Sequence, residues 1–136
     1  MDTSAADEVL LALARAVMGA SVRAADQIGG PSPVQLRALT VVQELGHPNL
    51  GQLTEALGVT VSTTSRLVDR LVAAGLVDRR PSELTRREVT LSLTPHAAEV
   101  LRTYDELRVR GLRDRLAHLT AEEQQQVLTA LALLAG

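Results

Sequence analysis

The sequence predicts a mainly helical protein of the α+β class, with one β-hairpin between its fourth and fifth helices. Tyr104 is the only aromatic residue, so the core has to be built from Leu, Val and Ala, which favours helices. Capping residues mark the start of successive helices, and one segment, 76–93, changes to the alternating pattern of strands. The 136 residues contain no interdomain linker, and we expect a single domain, 1–136.

The helix starts are predicted from capping chemistry. The first helix, over roughly 4–27, is expected to end at Gly29-Gly30, because glycine adopts the left-handed conformation that closes a helix. Each later helix follows a residue whose side-chain oxygen can accept a free backbone N–H. These N-cap residues are Ser32, Asn49, Thr60, Thr94 and Thr120. Gln or Glu three residues further on completes a capping box after the first, second and last of them.

The terminal helices contain more apolar side chains than one small core can cover. In the first helix Leu10, Leu13 and Val17 lie along one face, while Leu11 and Met18 lie along another. The helical segment 95–135 is similarly rich in leucine. We therefore expect a second copy of the chain to cover part of this surface.

The segment 76–93 is predicted to form a β-hairpin. Leu76 and Val77 begin it, and Val89, Leu91 and Leu93 later alternate with polar residues. A polar loop that contains proline separates the two strands, as is typical of a hairpin.

A helix-turn-helix is predicted immediately before this hairpin. Leu50–Gly58 forms a short helix, Val59-Thr60 is a tight turn, and a second helix follows over 61–74. Two steeply crossing helices are expected to share a small core. Its predicted members are Leu53, Leu57, Val59, Leu67 and Leu71. The second helix is then the one that can enter a major groove of DNA.

The polar face of the second helix carries the residue types that contact DNA. Short hydroxyl side chains allow close approach of the backbone, and arginine binds phosphate or guanine. The hairpin loop 81–87 can place an arginine in the adjacent minor groove. The predicted DNA-binding residues are Thr60, Ser62, Thr63, Ser65, Arg66, Arg70, Arg86 and Arg87. The alternative is a solvated amphipathic helix followed by an ordinary exposed hairpin tip.

The charge distribution fits the DNA-binding interpretation but does not decide it alone, because arginine could simply be the cation this sequence prefers. The net charge is −2, and all 14 basic residues are Arg. Segment 60–87 has six Arg against three acids, a local charge of +3, while the remainder of the chain has a charge of −5. A locally basic segment in an acidic chain is typical of a phosphate-binding face.

The run Leu57–Leu71, followed by Ala74–Arg79, resembles the MarR family of transcription regulators, and the hairpin from Thr85-Arg86-Arg87 to Thr94 resembles the wing of that family. The resemblance implies a homodimeric winged helix-turn-helix repressor that binds double-stranded DNA at a pseudo-palindromic operator. Its DNA-binding core would span about 33–93, with dimerisation helices at about 4–27 and 95–135. It further implies release by a small, commonly aromatic or anionic effector bound between these two parts.

The chain departs from the family pattern at three positions. Thr85 stands where an Asp commonly braces the wing, although Glu83 could substitute for it. Thr64 occupies a position that is commonly aliphatic, and Thr54 one that is usually Ala. None of these changes removes a predicted helix or strand.

An enzyme is the main alternative class, and the sequence argues against it. Without cysteine, disulfides and thiolate metal sites are excluded. His47, His96 and His118 are too scattered for a zinc site, and no Gly-rich phosphate loop is present. We therefore expect no catalytic residues, no metal and no cofactor. A winged helix that binds only protein is the second alternative.

A cytoplasmic location is expected. Asp2, Asp7 and Glu8 lie where a signal peptide would carry basic residues. No apolar run approaches the ~18 residues of a membrane span, so we expect no membrane partner.

Overall fold

Six helices and one two-stranded sheet make up the described part of the chain, which is residues 1–82, 84–85 and 88–136 of the computed structural model. In chain order the elements are α1 (Thr3–Ile28), α2 (Pro33–Leu45), α3 (Leu50–Leu57), α4 (Val61–Ala73), β1 (Val77–Pro81), β2 (Val89–Leu93), α5 (Pro95–Leu116) and α6 (Ala121–Ala135). The predicted mainly helical class, with a hairpin between the fourth and fifth helices, is confirmed.

The five capping predictions are all confirmed, because each helix starts directly after its predicted cap. Ser32, Asn49 and Thr120 form complete capping boxes, in which cap and N3 side chains each accept the other residue's backbone N–H. Asp2 caps α1 without a capping box, because only its own side chain accepts a backbone N–H, that of Ala5, and this cap was not predicted. Gly58 has φ 68°, and this left-handed conformation allows the short turn between α3 and α4.

The hairpin pairs β1 with β2 in antiparallel register, from Val77 opposite Leu93 to Pro81 opposite Val89. A backbone hydrogen bond from Ser82 N–H to the Glu88 carbonyl, 2.7 Å, continues the ladder beyond the strands. The Leu91 N–H donates to the Pro48 carbonyl at 2.8 Å, which joins β2 to the segment before α3. The hairpin is thereby attached to the helix-turn-helix through backbone.

One hydrophobic core joins α2, α3, α4, the hairpin and α5. Its fully buried large side chains include Leu36, Leu39, Leu53, Leu71 and Leu101. The end of α1 enters the core through Ala24 and Ala25, and α1 packs along α5. By contrast, α6 contains no buried residue.

The prediction that Val59 is a core residue is wrong. Val59 was expected inside the small core of the helix-turn-helix, yet it is 43% exposed. The left-handed Gly58 turns the chain outward at this point, so Val59 lies at the wall of a surface cavity. Leu53 and Leu71 are fully buried as predicted, while Leu57 and Leu67 are half-buried against the core.

No helix in the described ranges combines the length and the hydropathy needed to cross a membrane.

Candidate nucleic-acid interface

Helix α4 is the second helix of the helix-turn-helix and is called the recognition helix below. One buried face fixes it to the protein. Thr64, Val68 and Leu71 point into the core and are essentially inaccessible. The Thr64 hydroxyl is not left without a partner, because it donates to the Thr60 carbonyl at 3.0 Å. Burial of this face determines which side chains α4 presents to solvent.

The opposite face carries the predicted DNA-binding side chains of the helix. Ser62, Arg66 and Arg70 are exposed, and Ser65 is half-buried. Ser62 and Arg66 are four residues apart, as are Arg66 and Arg70, so they follow one another along the helix surface. These four residues therefore lie on the side of α4 that faces away from its buried face.

Thr60 and Thr63 have a more local role than the other hydroxyl residues. The Thr60 hydroxyl accepts the Thr63 backbone N–H at 3.2 Å, and the two hydroxyl oxygens are 2.9 Å apart. Thr60 thereby closes the first turn of α4. The exposed Thr63 side chain also lines the surface cavity described below.

Two of the arginines counted in the basic segment are paired with acids. Arg79 of β1 forms an ion pair with Asp69 on α4, and Arg80 lies 3.4 Å from Asp78. Within residues 1–82, 84–85 and 88–136, Arg66 and Arg70 form no ion pair. The positive charge that α4 offers to a polyanion is therefore concentrated on these two side chains.

The wing is defined as β1, β2 and their connecting loop. The predicted DNA contacts Arg86 and Arg87, and the substitute brace Glu83, lie outside the described residues. At the end of the loop, Asn49 donates a side-chain hydrogen bond to the Glu88 carboxylate. This contact was not predicted from the sequence, because nothing in a local pattern connects residues 39 positions apart.

A large cavity lies between α1, α5 and the helix-turn-helix. Its volume is about 720 Å³, and its wall is mostly apolar. Val17, Val34, Val59, Leu67 and Tyr104 are among the side chains that line it, with Arg37 and Arg108 as the charged members. The cavity is therefore in contact with both the recognition helix and α5.

Arg108 is the most constrained charged side chain of this cavity. Its guanidinium carbon lies 4.3 Å from the centroid of the Tyr104 ring, a cation–π arrangement. One of its terminal nitrogens donates to Asp105, while its buried Nε has no hydrogen-bond partner among the described residues. An orphaned buried donor of this kind is costly unless another acceptor reaches it.

No group of three or more potential metal ligands occurs among the residues that the structure describes. The candidate site is thus a surface of hydroxyl and guanidinium groups beside an apolar cavity.

A helix-turn-helix closed by a β-hairpin defines the winged-helix class of proteins. A family model described as the MarR family matches residues 30–88. The transcriptional regulator Mb0904 of Mycobacterium bovis is 31% identical over 106 residues, covering 76% of this chain and 74% of Mb0904. The chain belongs to the MarR family of helix-turn-helix transcriptional regulators. YfiV of Bacillus subtilis is 33% identical over 100 residues, 74% of this chain, and the match spans 62% of the length of YfiV.

Solved structures agree with the fold over almost the whole chain. RV1404 of Mycobacterium tuberculosis superposes with a TM-score of 0.87 at 29% identity, covering 99% of this chain and 93% of that one. A MarR family protein of Bacillus stearothermophilus gives a TM-score of 0.82 at 26% identity, covering 99% and 96% of the two chains. The helices before and after the winged helix-turn-helix are thus part of the shared architecture.

Proposed function

We propose that the protein is a repressor that binds a pseudo-palindromic operator as a homodimer. The recognition helix would enter the major groove, and the wing loop 81–87 would lie at the minor groove. The observation that carries this proposal is the exposed face of α4, where Arg66 and Arg70 have no ion pair within the described ranges. The proposed contacts are Thr60, Ser62, Thr63, Ser65, Arg66, Arg70, Arg86 and Arg87.

The geometry of α4 supports major-groove binding in particular. Its buried face is fixed by side chains that cannot move without opening the core, so the polar face is presented rigidly. The small side chains Ser62 and Ser65 leave room for the helix to approach base edges. Arg66 and Arg70 are long enough to reach guanine or phosphate from that position.

The proposed homodimer is supported by apolar side chains that the monomer leaves in solvent. Leu10, Leu11 and Met18 of α1 are exposed, as are Leu133 and Leu134 of α6. An isologous pairing of these helices would cover them around a two-fold axis. The two recognition helices would then lie ~34 Å apart, in successive major grooves, with half-sites ~10 base pairs apart.

The proposal is tested with a duplex selected from random DNA by the purified protein. Arg66→Ala should weaken binding by about 1–3 kcal/mol per subunit if Arg66 contacts guanine, and sequence preference at that position should relax. If Arg66 contacts only phosphate, affinity should fall evenly across sequences, and the salt slope should shrink by about one unit per contact.

Arg102→Ala is the matched control, because it removes an exposed arginine from α5 rather than from α4. An equal loss of affinity in both variants would indicate a general charge effect and remove Arg66 from the interface. Failure to select any duplex would favour a winged helix that binds protein alone.

We also propose that the cavity of about 720 Å³ binds the effector that releases DNA. A molecule bound there would touch Thr63 of the recognition helix and Tyr104 of α5 at once. The apolar wall suits an aromatic or aliphatic body, and Arg37 suits an anionic group. Arg108 is already paired with Asp105, so it would offer its Nε–H as the donor.

A further inference from the structure

The side chain of Asn49 makes two hydrogen bonds in opposite directions. Its oxygen accepts the Gln52 backbone N–H at 2.8 Å, which caps α3. Its amide nitrogen donates to the carboxylate of Glu88, which directly precedes β2. Among the strong N-cap residues, Asn is the one that offers an NH₂ donor in addition to the capping oxygen. One side chain therefore connects the first helix of the helix-turn-helix to the wing.

A second contact supports the first at the neighbouring residue. The carbonyl of Pro48 accepts the Leu91 N–H of β2, and Pro48 is fully buried. The segment Pro48-Asn49 thus meets the wing once through backbone and once through a side chain. The backbone bond fixes the middle of β2, whereas the Glu88 bond acts at the point where the loop enters the strand.

We infer that the Asn49–Glu88 hydrogen bond, called the clasp below, fixes the position from which the wing approaches DNA. The inference rests on the proposed DNA binding. Glu88 follows the two proposed minor-groove arginines directly in the sequence, so the Asn49–Glu88 bond holds the point at which the loop ends and β2 begins. Thr85 has no carboxylate with which to brace the loop, and Glu88 supplies one. Glu88 is a positioning residue in this arrangement and does not itself contact DNA.

The clasp and a simple charge effect predict different results for two substitutions of Glu88. A solvated acid beside DNA repels phosphate, so Glu88→Gln and Glu88→Ala should then strengthen binding equally. In the clasp, Glu88→Gln keeps an oxygen that accepts from Asn49, whereas Glu88→Ala removes the acceptor. The two variants should therefore diverge.

The measurement is the affinity ratio between two duplexes with the same selected centre, one with A·T-rich and one with G·C-rich flanks. The flank ratio isolates the wing, because minor-groove arginine prefers the narrow groove of A·T-rich DNA. We expect Glu88→Ala to reduce this ratio by up to about fivefold, the effect of one hydrogen bond, and Glu88→Gln to retain it. Asn49→Ser should act like Glu88→Ala, because serine still caps α3 but does not reach Glu88.

The double variant Asn49→Ser, Glu88→Ala should lose no more than either single variant, since both remove the same bond. Equal ratios in the wild type and Glu88→Ala, with an unchanged melting temperature, would overturn the clasp. A wild-type ratio of one would also overturn it, because the wing would then not sense the flanks. If the wild type bound neither duplex, the proposed DNA binding itself would fail, which is a distinguishable result.

Discussion

Thr64 is a polar residue in the fully buried face of the recognition helix. Its hydroxyl donates to the Thr60 carbonyl, which also accepts the Thr64 backbone N–H at 3.0 Å. The carbonyl therefore keeps a partner whether or not the hydroxyl is present. The methyl group of Thr64, by contrast, is buried together with the rest of the side chain.

Substitution of Thr64 should consequently follow side-chain shape rather than polarity. Thr64→Val keeps the shape and replaces the hydroxyl by a methyl group, so the free energy of unfolding should be unchanged or up to about 1 kcal/mol higher. Thr64→Ser keeps the hydroxyl but leaves a methyl-sized void, and should be about 1 kcal/mol less stable. Unfolding in urea measures the free energy of unfolding of both variants. A valine variant less stable than the serine variant would contradict this account.

The candidate site could be predicted from sequence only in part. The residues on the polar face of α4 were predictable, because the apolar positions of a helix determine which residues lie on its opposite face. The pairing of Arg79 with Asp69 was not, since a charge count does not show which arginines are already neutralised. The Asn49–Glu88 bond was likewise invisible, because it depends on how the hairpin packs against α3.

At the scale of elements, the helix limits were the most predictable feature. A cap involves residues within four positions of one another, so Ser32 or Thr120 can be recognised without knowing the tertiary structure. Val59 was misplaced because its exposure depends on the direction in which Gly58 turns the chain. Sequence patterns thus predicted where the elements begin, whereas side-chain placement at their junctions required the fold.

The start of α6 should respond to acid through its capping box. The Thr120 backbone N–H donates to Glu123 at 2.9 Å, and together with the Thr120 side chain it lowers the pKa of Glu123 below its ordinary value. Because the folded-state pKa is lowered, the cap contributes stability above the ordinary carboxyl pKa. That contribution is lost as the pH falls through the lowered pKa.

The Thr120 amide proton provides a local NMR readout of this cap. Its chemical shift should change with pH in the wild type, with a midpoint below the ordinary glutamate pKa. In Glu123→Gln the amide oxygen accepts the same bond without titrating, so the Thr120 shift should remain constant. If the Thr120 chemical shift still changed with pH in Glu123→Gln, a group other than Glu123 would be responsible for its pH dependence.

At the scale of the whole molecule, burial is distributed unevenly. The core extends from the end of α1 to the first half of α5, while α6 has no buried residue. Leu133 on α6 is 85% exposed, so it contributes little to the folding of one chain. Substitution of Leu133 should therefore weaken the association of two chains strongly, while the free energy of unfolding of one chain should change little.

Leu133→Glu should shift the chain from dimer to monomer in sedimentation at micromolar concentration. Loss of about 1.5–3 kcal/mol of apolar burial corresponds to a rise of roughly tenfold or more in the dissociation constant. Leu84→Glu is the matched control, because Leu84 is 93% exposed in the wing loop, away from α1 and α6. A wild-type monomer, or an equal shift in both variants, would exclude α6 from a dimer interface.

The stacking of Arg108 on Tyr104 in the cavity wall has an optical consequence. Because the chain has no Trp and no Phe, its intrinsic ultraviolet fluorescence comes from one phenol ring, next to a guanidinium group. A molecule that enters the cavity changes the surroundings of that ring, so its emission reports occupancy without any attached dye. A compound that releases DNA while leaving this emission unchanged therefore acts somewhere other than the cavity.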